Sequence, residues 1–93
     1  MVQTMGLVVH KYGGSSVADA EKILNVARRI GKVKDTGADI VAVVSAMGDT
    51  TDDLVELAHT VAADPDPREL DLLLSTGELV SCTLLTMALR SLG

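Results

Sequence analysis

The sequence has almost no aromatic residues and a shortage of positive charge. Tyr12 is the one aromatic residue in the 93, since Trp and Phe do not occur. Single-stranded nucleic acids bind on stacked aromatic rings, so this class of surface is excluded. The 8 Lys and Arg residues face 13 Asp and Glu, giving a net charge of −5, which argues against a general electrostatic grip on nucleic acid or anionic membrane.

Cysteine and long apolar runs are also scarce. Cys82 is the single cysteine and cannot form an internal disulfide, and no Cys and His residues share metal-ligand spacing. The first six residues lack the pattern of a secretory signal, and no uninterrupted apolar run approaches the roughly 18 residues of a membrane span. We therefore expect a cytoplasmic chain with no metal site of its own.

The residues that are present predict alternating strands and helices around one core, since 47% are hydrophobic. Residues 7–10 form a short β-branched run that ends in a glycine-containing loop, which predicts a buried strand. Apolar residues then recur at helical spacing up to Gly37, and Ser16 is predicted to cap this helix. Residues 40–44 have no polar alternation, as expected for a parallel strand covered on both faces.

The second half of the chain predicts further helices. Residues 45–51 form a loop into a second helix, with Thr50 as its expected cap, and the prolines at 65 and 67 end that helix. A third helical segment starts near Arg68 and is followed, after Gly77 and Glu78, by a segment that is apolar on nearly all sides. Such a helix needs cover on more than one side. The chain therefore reads as an incomplete α/β layer structure that spans residues 1–93, with no complete second domain.

Candidate chemistry lies in the two loops that follow the predicted strands. Open α/β sheets bind ligands beyond the carboxyl ends of their strands, and Lys11, Gly13 and Gly14 supply charge and unobstructed backbone amides for a phosphate. An ordinary strand-to-helix turn explains the glycines equally well. Glu78 either lies at a helix N-terminus for electrostatic reasons or faces a cationic ligand group.

Three strings occur here in the order and spacing of aspartate kinases. They are Lys-Tyr-Gly-Gly-Ser-Ser-Val at 11–17, Ser-Ala-Met-Gly-Asp-Thr-Thr-Asp at 45–52 and Ser-Thr-Gly-Glu at 75–78. Residues 67–71, Pro-Arg-Glu-Leu-Asp, precede the last string. The chain resembles aspartokinases, within the amino acid kinase superfamily, over essentially its whole length after Met5.

The resemblance implies the N-terminal portion of an α/β/α sandwich with a mainly parallel central sheet. It also implies transfer of the ATP γ-phosphoryl group, with Mg²⁺ bound to the nucleotide, onto the β-carboxylate of L-aspartate. This step opens lysine, threonine and methionine synthesis. By the family motif, Lys11 is catalytic, and ATP is bound by Lys11, Tyr12, Gly13, Gly14 and Ser45. The motif assigns aspartate to Asp49, Thr50, Thr51, Asp52, Asp53 and Glu78.

Other interpretations remain open at this point. The chain ends at Gly93, before the family's later nucleotide-binding motifs, so we expect it to be inactive alone and a homo-oligomer to form from the whole enzyme. One alternative is another amino acid kinase, acting on acetylglutamate, glutamate or uridylate. A different class of alternative is a non-catalytic module for folding or association, which the apolar last helix favours.

Overall fold

A computed structural model describes residues 6–93, so the predicted lack of a signal sequence falls partly outside the described residues. Two strands, three α-helices and one 3₁₀ turn follow each other along the chain. They are β1 (Leu7–Tyr12), the turn Gly14–Val17, α1 (Ala20–Lys34), β2 (Asp39–Val44), α2 (Thr50–Val61) and α3 (Pro67–Leu92). The predicted α/β class is confirmed. The described part is elongated, with extents of 62 × 25 × 18 Å.

The two strands pair in parallel, in a register that runs from Leu7 opposite Asp39 to Tyr12 opposite Val44. Successive side chains of a strand point to opposite faces, and only one face is covered by helices within the described residues. On the other face Val9 is 63% and Val43 48% exposed. The prediction that β2 is covered on both faces is therefore wrong for this chain, whose helices α1 and α3 both serve the same side.

Helix α1 supplies more buried residues to the core than any other element. Its apolar residues Ile23, Val26, Ala27 and Ile30 recur at helical spacing and are buried, together with Leu85 and Ala88 from α3. The predicted cap, Ser16, lies instead in the preceding 3₁₀ turn. Asp19 is the N-cap, and its carboxylate accepts the backbone N–H of Lys22 at 2.9 Å. The extra turn displaces the helix start by three residues, because the chain must first leave the sheet.

Helix α2 also starts differently from the prediction. Thr50 is the first helical residue and not the cap, which is Asp49 without a side-chain hydrogen bond. The Thr50 N–H instead donates to the carbonyl oxygen of Met47 at 2.9 Å, closing a backbone turn. The helix ends at Val61, before Pro65, as the prolines predict.

Helix α3 is continuous over 26 residues, so the helical segment predicted from Arg68 and the apolar segment after Glu78 form one helix. Asp66 caps it by accepting the Glu69 N–H at 3.1 Å, and Pro67 occupies the first turn, where its missing N–H costs nothing. A single glycine inside a helix costs only about 1 kcal/mol. Close contacts made by Gly77 offset this cost, as described below. Glu78 therefore lies in the middle of the helix, not at its N-terminus.

The apolar circumference of α3 is largely uncovered. Buried positions form one narrow stripe of Gly77, Ser81, Leu85 and Ala88, whereas Leu72, Leu79 and Met87 are each more than 60% exposed. By length and composition α3 could also cross a membrane, because Glu78 is the only charged residue in a long apolar stretch. Uninterrupted apolar runs alone do not predict this, because serine and threonine residues divide the stretch. A core helix of a water-soluble protein passes the same test.

Candidate functional site

The loops that follow β1 and β2 lie side by side, because the carboxyl ends of parallel strands meet at one edge of the sheet. Two backbone hydrogen bonds join them. The Ser45 N–H donates to the Tyr12 carbonyl oxygen at 3.0 Å, and the Gly48 N–H donates to the Gly14 carbonyl oxygen at the same distance. The sequence prediction that these loops converge is confirmed.

Glycines are required where the loops touch. A Cβ on Gly14 would lie 3.1 Å from the carbonyl oxygens of both Ala46 and Gly48, closer than carbon and oxygen normally approach. Gly48 has a φ of +47°, in the left-handed region that favours glycine. Gly13, in contrast, has open space where its Cβ would be. Gly14 therefore serves packing between the loops, and Gly13 leaves its backbone accessible.

Lys11 is exposed on the open face of the sheet, one residue before β1 ends. Its ammonium group forms no ion pair or hydrogen bond with any residue between 6 and 93. On the same face it is flanked by Val9 of its own strand and Val43 of β2. A cation with no internal partner, next to a glycine loop, is available to an anionic ligand.

Tyr12 points to the other face. Its ring is 7% exposed within the core, and its hydroxyl lies 2.8 Å from Nδ1 of His10. Burial raises the pKa of Tyr12, and the nearby positive charge of Arg29 lowers it to a smaller extent. At the loop edge the residue therefore presents its backbone, whereas its ring faces away from Lys11.

The segment Asp49–Asp53 leads into α2. Asp49, Thr51, Asp52 and Asp53 are exposed, and the last two lie in the first helical turn, where negative charge is favourable. Thr50 is half-buried and faces α3. The structure thus keeps the predicted polar residues of this loop together and available to solvent.

Helix α3 reaches the same edge through Gly77. A Cβ on Gly77 would lie 3.0 Å from the Ala46 Cβ and 3.2 Å from the Thr50 Cγ2 atom, so a larger residue would push these neighbours away. Glu78 follows directly, exposed and with no side-chain hydrogen bond to the described residues. The string at 75–78 therefore packs against the string at 45–52. The packing roles of Gly77 and Gly48 were not predicted from the sequence. For Gly77, a glycine within a helical segment was the available signal.

The described residues do not build a metal site. Between residues 6 and 93 no three His, Cys, Asp or Glu side chains lie close enough together to hold a metal ion. Carboxylate oxygens are the usual protein ligands of Mg²⁺.

Comparison with known proteins agrees with this arrangement. Residues 6–93 match the model of the amino acid kinase family. The chain is 62% identical to an aspartokinase of Mycolicibacterium smegmatis over 89 residues and 57% identical to one of Corynebacterium glutamicum. These matches cover 96% of this chain and 21% of each relative, so the chain spans about a fifth of their length.

A solved structure gives the same result. The crystal structure of aspartate kinase from Synechocystis superimposes with a TM-score of 0.90 at 50% identity, covering 92% of this chain and 15% of that one. The resemblance stated from the three strings is confirmed.

Proposed function

Because this chain belongs to the amino acid kinase family, we propose that it forms the N-terminal part of an aspartate kinase domain. The reaction is transfer of the ATP γ-phosphoryl group to the β-carboxylate of L-aspartate, giving β-aspartyl phosphate and ADP. The observation that carries this proposal is the meeting of the three strings at one edge, with Gly14 bonded to Gly48 and Gly77 against Ala46.

Charge neutralisation is the task of Lys11. Two anions must approach in line, and the phosphoryl group spreads negative charge over its oxygens in the transition state. The Lys11 ammonium, which has no protein partner between residues 6 and 93, is free to stabilise that charge. The backbone at Tyr12, Gly13 and Gly14, and Ser45 across the hydrogen-bonded pair, border the phosphates.

The acceptor needs no general base. An aspartate side chain has an ordinary pKa near 4, so it is ionised at neutral pH and attacks directly. The enzyme's contribution is then position and electrostatics. No covalent enzyme intermediate is required.

Glu78 and the loop before α2 hold the aspartate substrate. The Glu78 carboxylate faces the α-ammonium group, and the Thr51 hydroxyl donates a hydrogen bond to a substrate carboxylate. Asp49, Thr50, Asp52 and Asp53 shape the pocket; the half-buried Thr50 does so by packing against Gly77. The exposure of Glu78 and Thr51 leaves both side chains available for these contacts.

The wider context follows from the same proposal. ATP is the co-substrate, and Mg²⁺ accompanies it on the phosphates. The product enters lysine, threonine and methionine synthesis in the cytoplasm, and the complete enzyme is a homo-oligomer with no nucleic-acid or membrane partner. The remaining base, ribose and substrate contacts come from segments beyond residues 1–93.

A coupled assay of ADP release tests the proposal. It should be run on the longest natural polypeptide that contains this sequence, here called the parent polypeptide, with aspartate, acetylglutamate, glutamate and uridylate as separate acceptors. We expect turnover with aspartate as the acceptor and none with the other three acceptors. Turnover with another acceptor would replace aspartate kinase with that activity, and no turnover together with self-association of the chain would favour the non-catalytic module.

A further inference from the structure

A second group of positive charges lies on the face of the sheet opposite Lys11. A cavity of about 240 Å³ opens between the turn Gly14–Val17 and α1. Its polar lining consists of Tyr12, Ser15, Ser16, Lys22, Asn25 and Arg29. No carboxylate lines this cavity, although the chain carries a net charge of −5.

The two cations of the cavity are uncompensated. Lys22 and Arg29 are seven residues apart, so they lie on one side of α1, separated by about 10 Å along its axis. Neither side chain forms an ion pair or a hydrogen bond within residues 6–93, whereas the neighbouring Arg28 bonds to Asn25 at 2.8 Å. Asp19, three residues before Lys22, accepts the Lys22 backbone N–H with its carboxylate, and the adjacent Glu21 does not line the cavity.

The positive charge of Arg29 acts on Tyr12, which lines the cavity. Burial raises the pKa of the Tyr12 hydroxyl, and the Arg29 guanidinium lowers it to a smaller extent. That hydroxyl is also held by His10 at 2.8 Å, which fixes the ring that floors the cavity. Ser15 and Ser16 contribute hydroxyl groups from the turn, and both are exposed. The cavity therefore combines two cations with donor groups on a fixed floor.

We propose that this cavity binds a phosphate-sized oxyanion, with Lys22 and Arg29 supplying charge and the two serine hydroxyls donating hydrogen bonds. A dianion matches two positive charges, and a guanidinium matches the geometry of phosphate oxygens. The ligand is the free ion or the phosphoryl group of a larger molecule. This site does not depend on the proposed kinase activity, since Lys11 projects from the opposite face of β1.

Calorimetric titration of the Lys11→Ala variant with inorganic phosphate tests the proposal, because that background removes the cation of the other site. Ionic strength is held constant with chloride. We expect saturable binding at one site, weakened about tenfold by Arg29→Gln or Lys22→Gln, as loss of one charged hydrogen bond implies. Arg28→Gln is the matched control, since it removes the same charge from the same helix outside the cavity.

Two results of the titration would overturn the proposed site. Equal weakening by Arg28→Gln and Arg29→Gln, or no saturable binding in the Lys11→Ala background, overturns the site. Amide chemical-shift changes at Ser15 and Ser16 during the titration support it, and their absence counts against it. Methyl phosphate that binds with the same sensitivity to Arg29→Gln identifies a phosphoryl group of a larger ligand, whereas binding of inorganic phosphate alone identifies the free ion; either result supports the cavity.

Discussion

The N–H of Gly48 donates a 3.0 Å hydrogen bond to the carbonyl oxygen of Gly14, which joins two loops that belong to different strands. The contact leaves little room for a side chain, because a Cβ on Gly14 would lie 3.1 Å from two carbonyl oxygens. The pair fixes where the glycine loop stands relative to the polar loop before α2. Stability and the geometry of the candidate site are thereby linked through one backbone contact.

Substituting Gly14 should destabilise the chain. Gly14→Ala forces the loops apart, and overpacking of this kind costs about 1–3 kcal/mol of the free energy of unfolding. Urea denaturation followed by circular dichroism measures it. Gly13→Ala is the control, since Gly13 has an extended backbone and open space at its Cβ, and it should change stability by less than about 0.5 kcal/mol. An equal cost at both positions would contradict the close contact.

Two helical glycines should respond differently to alanine. Gly31→Ala in α1 meets no atom within 4 Å, so it should stabilise the chain by up to about 1 kcal/mol through helix propensity. Gly77→Ala gains the same propensity, but its Cβ would press on Ala46 at 3.0 Å. We expect no gain or a net loss at Gly77, together with a raised aspartate KM in the parent polypeptide. A thermal melt compares them; equal stabilisation would show that α3 can shift freely.

Removing the ammonium of Lys11 should abolish most activity without unfolding the protein. Lys11→Ala in the parent polypeptide should lower kcat by about 10²–10³-fold, as loss of a transition-state charge contact does elsewhere. The side chain is exposed and has no partner within residues 6–93, so the circular dichroism spectrum should be unchanged. Lys32→Ala, which removes an exposed charge from α1, serves as the control. Near-normal turnover of Lys11→Ala would refute its assigned role.

Glu78 should affect aspartate more than ATP. Glu78→Gln removes the charge that we propose for the α-ammonium group, so it should raise the aspartate KM about tenfold and leave the ATP KM within about twofold. Steady-state kinetics with each substrate varied provides the measurement. Glu69→Gln removes an exposed charge from the first turn of the same helix and should leave both constants unchanged. If the ATP KM rises instead, Glu78 belongs to the nucleotide site.

Tyr12 should titrate at unusually high pH. Burial raises its pKa above the ordinary 10.0, so the folded chain holds the phenolic proton more tightly than the unfolded chain does. Stability is consequently unaffected below pH 10 and falls as the pH rises from there through the folded pKa. Absorbance at about 295 nm follows the single tyrosine of residues 1–93 directly. Arg29→Gln should raise the pKa further, because the Arg29 charge lowers it. A lower pKa in that variant would place Arg29 elsewhere.

Local sequence patterns predicted the elements that depend on local sequence. They failed where contacts between residues distant in sequence determine the structure. The β-branched runs and the apolar spacing of Ile23, Val26 and Ile30 gave both strands and α1 correctly. The predicted starts of α1 and α2 differ from the observed ones, where Asp19 and Asp49 are the N-cap residues. The first turn of each helix depends on how the chain leaves the sheet, which the local sequence does not show. The packing of Gly77 could not be predicted, since nothing in the sequence shows that Ala46 and Thr50 lie against it.

The candidate site was predictable as a set of residues and not as an arrangement. Both loops follow strands, so their convergence could be expected from topology. Which face of the sheet each side chain occupies could not be predicted. Lys11 and Tyr12 are adjacent in sequence and point to opposite faces, and only the pairing with β2 and the cover by α1 determine which face is buried.

That sidedness makes the N-terminal strand sensitive to indels in a way that point substitutions do not reveal. Inserting or deleting one residue between Leu7 and Lys11 would reverse the strand's parity, turning the ammonium toward the core and the phenol out to water. A two-residue change would keep parity and merely slide the strand. Natural length variation in β1 should therefore come in even steps.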